Sequence, residues 1–384
     1  MEQGIIYLDN AATSFPKPES VYVAIDKTMR EKCGNPGRSG HRLSLTAGRI
    51  VHETRLLCAR LLNAASPENI IFTNNTTTAL NIALKGIIEQ GDHIITSSLE
   101  HNSVSRPLHY LASIGIGVTK LPTDLNYGLN VDDIKNAIRP NTKLFVCTHI
   151  SNVTGTVNDI SSIGAFCKEN SILFLVDAAQ SAGSRIIDVE DMCIDMLAFP
   201  GHKGLLGPQG TGGLYVRQGL RLKTIMQGGT GNDSELLSQP ESLPEKFQSG
   251  TLNTPGLAGL AAGIHFILEK GIGEIQQHET SLINQFIEGI SNMDRIRLIG
   301  PEMNQNRGSV VSVLIENKPP ADVAIMLDTA FNIAVRSGLH CASDAHRKIG
   351  TLDKGGTIRI SPNYLNTKED VDICLNALEL CTKS

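Results

Sequence analysis

The region from about Ser66 to Arg217 alternates short, β-branched apolar runs with segments of helical periodicity, and this alternation strongly limits the possible folds. The apolar runs read NIIFT (69–73), DHIITSS (92–98), KLFVCTHI (143–150), ILFLVDAAQ (172–180), DMLAF (195–199) and GGLYV (212–216). Nearly continuous apolar strands separated by helices are typical of a parallel sheet that is covered on both faces. The sequence therefore predicts a doubly wound α/β domain whose ligands bind at the carboxyl ends of the strands.

The remainder of the chain predicts a second, smaller domain. A chain of 384 residues is longer than one hydrophobic core usually supports. The periodicity stops between residues 226 and 253, and a stretch of this length in a compact protein is usually a functional loop or an interface. Strand and helix patterns then mix up to the C-terminus. We expect a large α/β domain over 17–260, and a small α+β domain formed by 1–16 and 261–384.

Composition and charge favour an ordinary globular protein of the cytoplasm. The formal net charge is −5, and lysines and arginines are scattered without a basic run, which argues against nucleic-acid binding. The N-terminus lacks the features of a signal peptide, and no apolar stretch reaches the roughly 18 residues of a membrane span. The eight cysteines form no CxxC pair and no Cys/His ligand spacing, so we expect reduced thiols and no bound metal.

Polar residues that follow two of the predicted strands indicate cofactor chemistry. His202 and Lys203 lie in a glycine-rich turn, where the lysine is either an exposed loop residue or a Schiff-base lysine whose amine must lose its proton. Asp177 directly follows an apolar strand, so it is either a helix N-cap or a carboxylate that faces a pyridinium nitrogen. In the second case, Gln180 lies at a spacing that could reach the phenolic oxygen of the same ring.

Three further segments place polar groups after strands. In FTNNTTTALN, Thr76 and Thr77 open a helix, either as ordinary capping residues or as donors to a phosphate group. His101 in SLEHNSV is either a surface histidine or a ring that stacks on a cofactor. Asn152 in THISNVTGT follows another strand. Because the ends of parallel strands meet at one edge of the sheet, we expect all these residues to lie near one another.

Taken in order, these segments resemble the class V aminotransferase family of pyridoxal-phosphate enzymes, and within it the cysteine desulfurases and selenocysteine lyases. The resemblance runs nearly end to end, from YLDNAATSFPKP through GNPGRSGH to GTIRISPNYLNTKEDVD. It implies the fold type I architecture of pyridoxal-phosphate-dependent transferases, with a large, mixed and mostly parallel sheet domain and a small α+β domain. It also implies a homodimer with pyridoxal 5'-phosphate as cofactor.

The resemblance also implies a role for each matching residue. Lys203 would form the Schiff base, Asp177 would keep the ring nitrogen protonated, and His101 would stack on the ring. Gln180 and Asn152 would contact the ring oxygen and the substrate. Thr76, Thr77 and His202 would bind the phosphate, and Thr251 would reach the phosphate of the neighbouring subunit. The substrate itself would contact Arg359, Arg38 and Ala11.

The segment VRSGLHCAS contains the residue that separates the possible activities. Cys341 would ordinarily be a small buried residue that fills a turn, since free cysteine is among the most buried residue types. The desulfurase pattern instead makes it the sulfur acceptor, with Arg336 and His340 placed to favour the thiolate. The implied reaction converts L-cysteine to L-alanine, and the sulfur leaves Cys341 for an acceptor protein or a small thiol. The other seven cysteines are interpreted as structural.

Several positions depart from the desulfurase pattern, and other functions stay open. Pro200 replaces a frequent serine, Asn74 and Asn75 replace a frequent Arg-Gly pair, and Leu339 replaces a histidine found in one desulfurase group. The alternatives within the fold are a selenocysteine lyase, another lyase or epimerase, and a plain aminotransferase. An alternative of another class is a non-catalytic, cofactor-binding sulfur carrier or scaffold.

Overall fold

A computed structural model describes residues 4–37, 39–231 and 235–383. Its main element is a seven-stranded sheet in the order β2-β8-β7-β6-β5-β3-β4. The strands are β2 (Ile70–Thr73), β3 (His93–Ser97), β4 (Gly117–Leu121), β5 (Thr142–Thr148), β6 (Leu173–Asp177), β7 (Met196–Pro200) and β8 (Gly212–Val216). Six of the strands are parallel to one another, and β8 is antiparallel to its neighbours β7 and β2.

The exception at β8 has a simple cause. Only residues 201–211 join β7 to β8, and this connection contains no helix. A parallel crossover needs a dozen or more residues, usually with a helix, so the chain returns beside β7 in the opposite direction. The β4 strand, GVTKL, was missed by the sequence analysis; its residues are largely half-exposed, as expected for an edge strand.

The large sheet is buried on both faces, as its apolar runs predict. In β5, Leu144 and Val146 belong to one apolar cluster, whereas Phe145 and Cys147 belong to another. This alternation divides the side chains between the two faces of the sheet. The helices of this part of the chain are α1 (Glu19–Glu31), α2 (Arg42–Leu62), α3 (Thr76–Ile87), α4 (Asn102–Ser113), α5 (Val131–Ala137), α6 (Ile160–Glu169) and α7 (Thr254–Lys270).

The C-terminal part forms a separate sheet with its own apolar cluster. This four-stranded sheet has the order β12-β13-β10-β9, and it packs with helices that follow α7. Its elements are α8 (Ile272–Ser291), β9 (Ile296–Ile299), β10 (Val311–Ile315), α9 (Pro320–Phe331), β12 (Arg336–Gly338), α10 (Ser343–Ile349), β13 (Thr357–Ile360) and α11 (Lys368–Lys383). Near the N-terminus, β1 (Ile6–Tyr7) pairs in parallel with β11 (Ile333–Ala334).

The expected boundary at residue 260 falls inside α7, which packs against α1 and α2. The domain division therefore stays a prediction. Within the described ranges, no helix combines the length and the apolarity that crossing a membrane requires.

Close packing of α6 generates a test of the fold. A Cβ atom added at Gly164 would lie 1.9 Å from the carbonyl oxygen of Met192, and backbone cannot easily move away. We expect Gly164→Ala to lower the free energy of unfolding by about 1–3 kcal/mol, measured as a lower midpoint of thermal unfolding. The matched control is Gly48→Ala in α2, where an added Cβ meets no atom within 4 Å; it should stabilise the protein by about 0.5–1 kcal/mol. Equal effects of the two substitutions would contradict the packing.

Candidate active site

One cavity of about 210 Å³ lies at the carboxyl ends of the strands of the large sheet. Most of the residues singled out from the sequence line it. They are Ala11, Thr76, Thr77, His101, Asn152, Asp177, Gln180, His202, Lys203 and Arg359. The polar residues after different strands thus share one site, as the topology of parallel strands requires.

Two other predicted residues, Thr251 and Cys341, lie elsewhere, and a third is not among the described residues. Thr251 lines a different cavity, together with Phe72 and Phe247. Cys341 does not line the cavity of Lys203, but it contacts Arg336, which does. Arg38 lies outside the described residues, so its expected contact with substrate stays a prediction.

The glycine-rich turn that carries Lys203 packs its backbone tightly against neighbouring backbone. A Cβ at Gly204 would lie 2.4 Å from the carbonyl oxygen of Ala182, and one at Gly201 would lie 2.1 Å from Oγ1 of Thr211. Glycine at 204 lets the turn approach the segment that follows Asp177, and glycine at 201 lets it approach Thr211, next to β8. The lysine is thereby held at the end of β7, directly beside the end of β6.

Electrostatics prepare Lys203 to lose a proton. Burial lowers the pKa of its amine to about 8, and the positive charges of Arg359 and Arg336 act in the same direction. The carboxylate of Asp177 opposes them. An amine with a pKa near neutrality is partly deprotonated under ordinary conditions, as a nucleophilic or basic lysine requires.

Asp177 is buried at the end of β6, and its Oδ1 accepts a hydrogen bond from the backbone N–H of Ala179 across 3.0 Å. Burial raises the pKa of this carboxyl to about 6, although the Ala179 N–H and the charge of Lys203 pull it down. Among the described residues, no hydrogen bond is made to its second oxygen. This oxygen is therefore available to a positively charged group bound in the cavity.

His101 is held as a neutral imidazole. Its Nδ1 accepts from the backbone N–H of Ser103 across 3.1 Å, which caps α4 and leaves the ring proton on Nε2. Burial lowers the pKa of the ring to about 4, and nearby Lys203 and arginine charges add to this effect. The Ser103 hydroxyl also pairs with that of Thr77 across 2.7 Å, so the ring is tied to the first turn of α3.

The start of α3 offers donors for an anion. Asn75 caps this helix, because its Oδ1 accepts from the backbone N–H of Thr78 across 2.9 Å. The N–H groups of Thr76 and Thr77 lie in the first turn and have no acceptor within the helix. His202 faces the same cavity, and its buried Nδ1 has no partner among the described residues. These groups, at the positive end of a helix dipole, suit a phosphate.

Arg359 is fully buried on β13 and joins three parts of the chain. One amino group donates to Oδ1 of Asp9 across 2.6 Å, and the other donates to the backbone oxygen of Asn152 across 3.1 Å. Arg336 lies directly opposite Arg359 in the antiparallel pair of β12 and β13. Like charges placed opposite one another are unfavourable unless an anion lies between or beside them. Asp9 balances one of the two positive charges, and the other favours a ligand with a carboxylate.

Gln180 and Ala11 form another contact within the cavity wall. The amide nitrogen of Gln180 donates to the backbone oxygen of Ala11 across 3.0 Å. This bond fixes the orientation of the amide and leaves its oxygen outside the contact. The expected contacts of Gln180 and Ala11 with cofactor or substrate stay predictions.

Cys341 is exposed in a turn of unusual backbone conformation. Both His340 (φ +48°) and Cys341 (φ +56°) lie in the left-handed region, in addition to Gly338 (φ +106°). The backbone oxygen of Cys341 accepts from the N–H of Asn102 across 2.7 Å, so the turn lies against the start of α4. The interpretation of Cys341 as a buried space-filling residue is therefore wrong.

The two expected neighbours of the thiol differ in what they provide. Arg336 donates to Sγ of Cys341 across 3.5 Å. His340 is buried, and burial together with the charge of Arg359 lowers its pKa to about 2. The expectation that His340 supplies positive charge to the thiol is thus wrong, because the imidazole is neutral.

Two residues of this site were not predicted from the sequence, and a third was predicted only as a neighbour of Cys341. Asp9 pairs with Arg359, and buried Glu100 contacts Thr148 of the cavity wall. Arg336, expected beside the thiol, also lines the cavity. Glu100 Oε1 accepts from the Ser97 hydroxyl and from the backbone N–H of Thr148. A signal existed for Glu100, because an acidic residue next to His101 at the end of a buried strand is unusual.

Comparison with known proteins agrees with this site. Residues 6–374 match the family described as Aminotransferase class-V, and the chain belongs to this family. It is 38% identical to a probable cysteine desulfurase of Methanothermobacter thermautotrophicus, over 97% of this chain and 94% of the relative. It is 37% identical to a probable cysteine desulfurase of Pyrococcus abyssi, over 100% of this chain and 96% of the relative.

Solved structures give the same grouping. The apo structure of a cysteine desulfurase from Thermococcus onnurineus superposes with a TM-score of 0.91 at 35% identity, covering 99% of this chain and 95% of that chain. The cysteine desulfurase CsdA of Escherichia coli superposes with a TM-score of 0.88 at 28% identity, with the same coverage. The expected fold type I architecture is thereby confirmed.

The family uses pyridoxal phosphate, and the residues of the cavity fit this group. The unpartnered Nδ1 of His202 and the first-turn N–H groups of α3 suit its phosphate. The free oxygen of Asp177 suits a protonated pyridine nitrogen, and the amine of Lys203 suits an aldehyde. The replacement of serine by Pro200 removes one hydroxyl, but Asn75 still caps α3.

Buried Glu100 gives a pH-dependent test. Burial raises the pKa of its carboxyl to about 8, so the folded protein keeps a proton that the unfolded chain releases above about 4.5. The stability that the protonated Glu100 carboxyl contributes is fully present below pH 4.5 and is lost as the pH rises through about 8. Glu100→Gln should therefore become more stable than the wild type between pH 5 and 8, on the order of a few kcal/mol. Thermal unfolding across this range measures the difference.

The matched variant for this test is Glu100→Ala, which also loses the contacts with Ser97 and Thr148. We expect it to be less stable than Glu100→Gln at every pH. A stability difference between Glu100→Gln and the wild type that does not change with pH would show that the buried carboxyl is already ionised.

Proposed function

We propose that this chain is a pyridoxal-phosphate-dependent cysteine desulfurase that converts L-cysteine to L-alanine and passes the sulfur through Cys341 to a thiol acceptor. One observation carries the proposal: the exposed thiol of Cys341 contacts Arg336, and Arg336 lines the cavity of Lys203 and Arg359. A plain aminotransferase has no use for a thiol at this place. The names of the relatives support the same activity.

In this proposal the chain holds the cofactor at four points. Thr76, Thr77 and His202 would bind its phosphate, and Asp177 would bind its ring nitrogen. His101, being neutral, would lie against the ring, and Lys203 would hold the aldehyde carbon. Bound pyridoxal phosphate supplies an electron sink for negative charge that develops at the α-carbon of the substrate.

Lys203 would move the substrate's α-proton. With a pKa lowered to about 8, its amine accepts a proton at moderate pH and can return it. Asp177 supports this step indirectly, because its carboxylate balances positive charge at the far end of the ring.

Arg359 would orient the substrate by its carboxylate. The guanidinium is already fixed by Asp9 and by the backbone of Asn152, so little conformational entropy remains to be lost on binding. Arg336, opposite it on β12, adds a second positive charge. The amino acid would then present its side-chain sulfur toward Cys341, which lies beside Arg336.

Cys341 would accept the sulfur as a thiolate. Its Sγ forms a bond to the substrate sulfur, while the bond between that sulfur and the β-carbon breaks and leaves its electron pair on the carbon fragment. Protonation of this fragment completes L-alanine. A thiol acceptor then attacks the outer sulfur of the Cys341 persulfide and regenerates the cysteine thiolate.

Replacement of Cys341 tests the proposed reaction. With L-cysteine and dithiothreitol, we expect the wild type to form alanine and sulfide in equal amounts. Cys341→Ala should lose nearly all of both products, because no thiolate remains to take the sulfur, and should still show the visible absorbance of bound cofactor. Quantifying alanine and sulfide together checks this.

The control is Cys193→Ala, since Cys193 is partly exposed but lines neither cavity described here. This variant should keep the wild-type activity. Unchanged activity of Cys341→Ala would return Cys341 to a structural role. Alanine formed from L-selenocysteine but not from L-cysteine would favour a selenocysteine lyase, and bound cofactor without turnover of either would favour a scaffold.

We also propose that the protein acts as a homodimer in the cytoplasm. Thr251 lines a cavity that contains neither Lys203 nor His202, so a role at the phosphate requires a second copy of the chain. Apolar side chains are exposed on α1 and α2, including Met29, Leu43 and Leu45. The cysteines form no disulfide among the described residues, and this suits a reducing compartment.

The dimer is tested by the mass of the protein in solution. Light scattering coupled to size exclusion should give twice the chain mass of 41.3 kDa. Leu45→Glu, which places a charge on the exposed apolar surface, should shift the protein toward the single-chain mass. A monomeric wild type with full activity would contradict the proposed role of Thr251.

A further inference from the structure

The side chain of Asn152 contacts the cysteine turn. The sequence analysis expected this amide to contact cofactor or substrate. Its nitrogen donates instead to the backbone oxygen of His340 across 2.7 Å, although the residue also lines the cavity. Its own backbone oxygen accepts from Arg359 across 3.1 Å. One residue thus links the buried arginine to the turn that carries the thiol.

The turn needs such contacts because its backbone is strained. Two consecutive residues other than glycine, His340 and Cys341, have positive φ angles. Each such conformation raises the free energy of the folded protein, and it persists only where surrounding contacts impose it. Contacts from outside the turn therefore decide where Sγ of Cys341 lies.

A second set of contacts reaches the same loop. Ser312 Oγ donates to the backbone oxygen of Val153 across 2.6 Å, and the hydroxyl of Thr357 donates to Ser312 Oγ across 3.2 Å. Since each hydroxyl has a single proton, Thr357 must accept from Nε2 of His340, which lies 3.0 Å away. The loop of residues 152 and 153 is thus linked to the cysteine turn twice, directly by Asn152 and indirectly through the hydroxyls of Ser312 and Thr357.

The amide of Asn152 still has capacity for a ligand. An amide nitrogen carries two protons, and the contact with His340 uses one of them. Arg359 contacts the backbone oxygen of Asn152, and both residues line the same cavity, so a carboxylate held at Arg359 would lie near enough to accept the second proton. Binding there would restrict rotation of the amide and strengthen its hold on His340.

We propose that Asn152 is a positioning residue that couples occupation of the carboxylate site at Arg359 to the placement of Cys341. This rests on the proposed function, since it takes Arg359 as the carboxylate site and Cys341 as the sulfur acceptor. The coupling is positive: a bound amino acid tightens the turn, and a tightened turn strengthens binding of the amino acid by the same factor. The thiol is therefore held in its reactive position mainly when substrate is present.

The test measures how fast iodoacetamide alkylates Cys341 in the cofactor-loaded protein, with and without L-alanine. L-Alanine has the carboxylate and amine of the substrate but no sulfur, and its occupancy is followed for each variant by the change in visible absorbance. In the wild type, we expect saturating L-alanine to slow alkylation about fivefold, the factor equivalent to one ordinary hydrogen bond. Alkylation of Cys193 in the same samples should not change.

Asn152→Ala removes the amide but keeps the backbone oxygen that Arg359 contacts. We expect faster alkylation of Cys341 in this variant, with no slowing by L-alanine. If bound L-alanine merely covers the thiol, the variant will show the same fivefold slowing, and the proposal is overturned. A wild type that binds L-alanine without any change in alkylation also overturns it.

The matched control is Asn102→Pro, which removes the N–H that contacts the backbone oxygen of Cys341 without changing Asn152. Proline is tolerated here because Asn102 is the first residue of α4, and the extended conformation of His101 (φ −66°, ψ 155°) suits a residue before proline. This variant should alkylate faster but keep its response to L-alanine.

Asn102→Pro also keeps the proposal testable if Asn152→Ala does not fold. Because the coupling is reciprocal, loosening the turn should weaken L-alanine binding severalfold, and unchanged affinity would overturn the proposal. Alanine production from L-cysteine, measured on the same preparation, distinguishes failure of the coupling from failure of the proposed function. A protein that makes alanine but lacks the alkylation response retains the proposed function and loses only the coupling.

Discussion

The buried guanidinium of Arg359 is the interaction on which the rest of the site depends. A buried charge is tolerated only where charged or polar groups surround it, and removal of one partner is costly. Its partners are Asp9, near the N-terminus, and the backbone of Asn152, which follows a strand of the large sheet. Arg359 itself lies on the small sheet. The same contacts that compensate for burying the charge thus bring three distant segments together around the cavity.

The charges around the cavity follow a consistent pattern. Arg359, Arg336 and Lys203 are cationic, whereas His101 and His202, which lie close to them, are neutral because burial lowers their pKa values to about 4. The site therefore has positive charge in excess of the carboxylates of Asp177 and Asp9. Such a site attracts ligands with negatively charged groups, and a phosphate and an amino-acid carboxylate both meet that description.

Residues at strand ends were predictable from sequence because topology alone brings them together. Asp177 ends a strand of the large sheet, Lys203 and His101 each follow one, and parallel strands end at one edge. The reciprocal hydrogen bonds of Thr367 and Asp370 before α11 are of the kind that a local sequence pattern signals, because they join neighbours in the chain.

The remaining features depend on contacts between residues far apart in sequence. The pair of Asp9 and Arg359 spans 350 positions, and that of Asn152 and His340 spans 188. No local pattern signals either contact. The neutral state of His340 likewise follows from burial against the small sheet, so a histidine next to a cysteine was interpreted as a positive charge.

The exposure of Cys341 at the surface bears on how sulfur would be delivered to an acceptor. A sulfur atom added to Sγ extends the side chain by about 2 Å, the length of a sulfur–sulfur bond. Because Cys341 is already at the surface and its backbone oxygen is tied to α4, that extra length can project into solvent without movement of the turn. In the proposed reaction, the outer sulfur would then be within reach of a docking molecule.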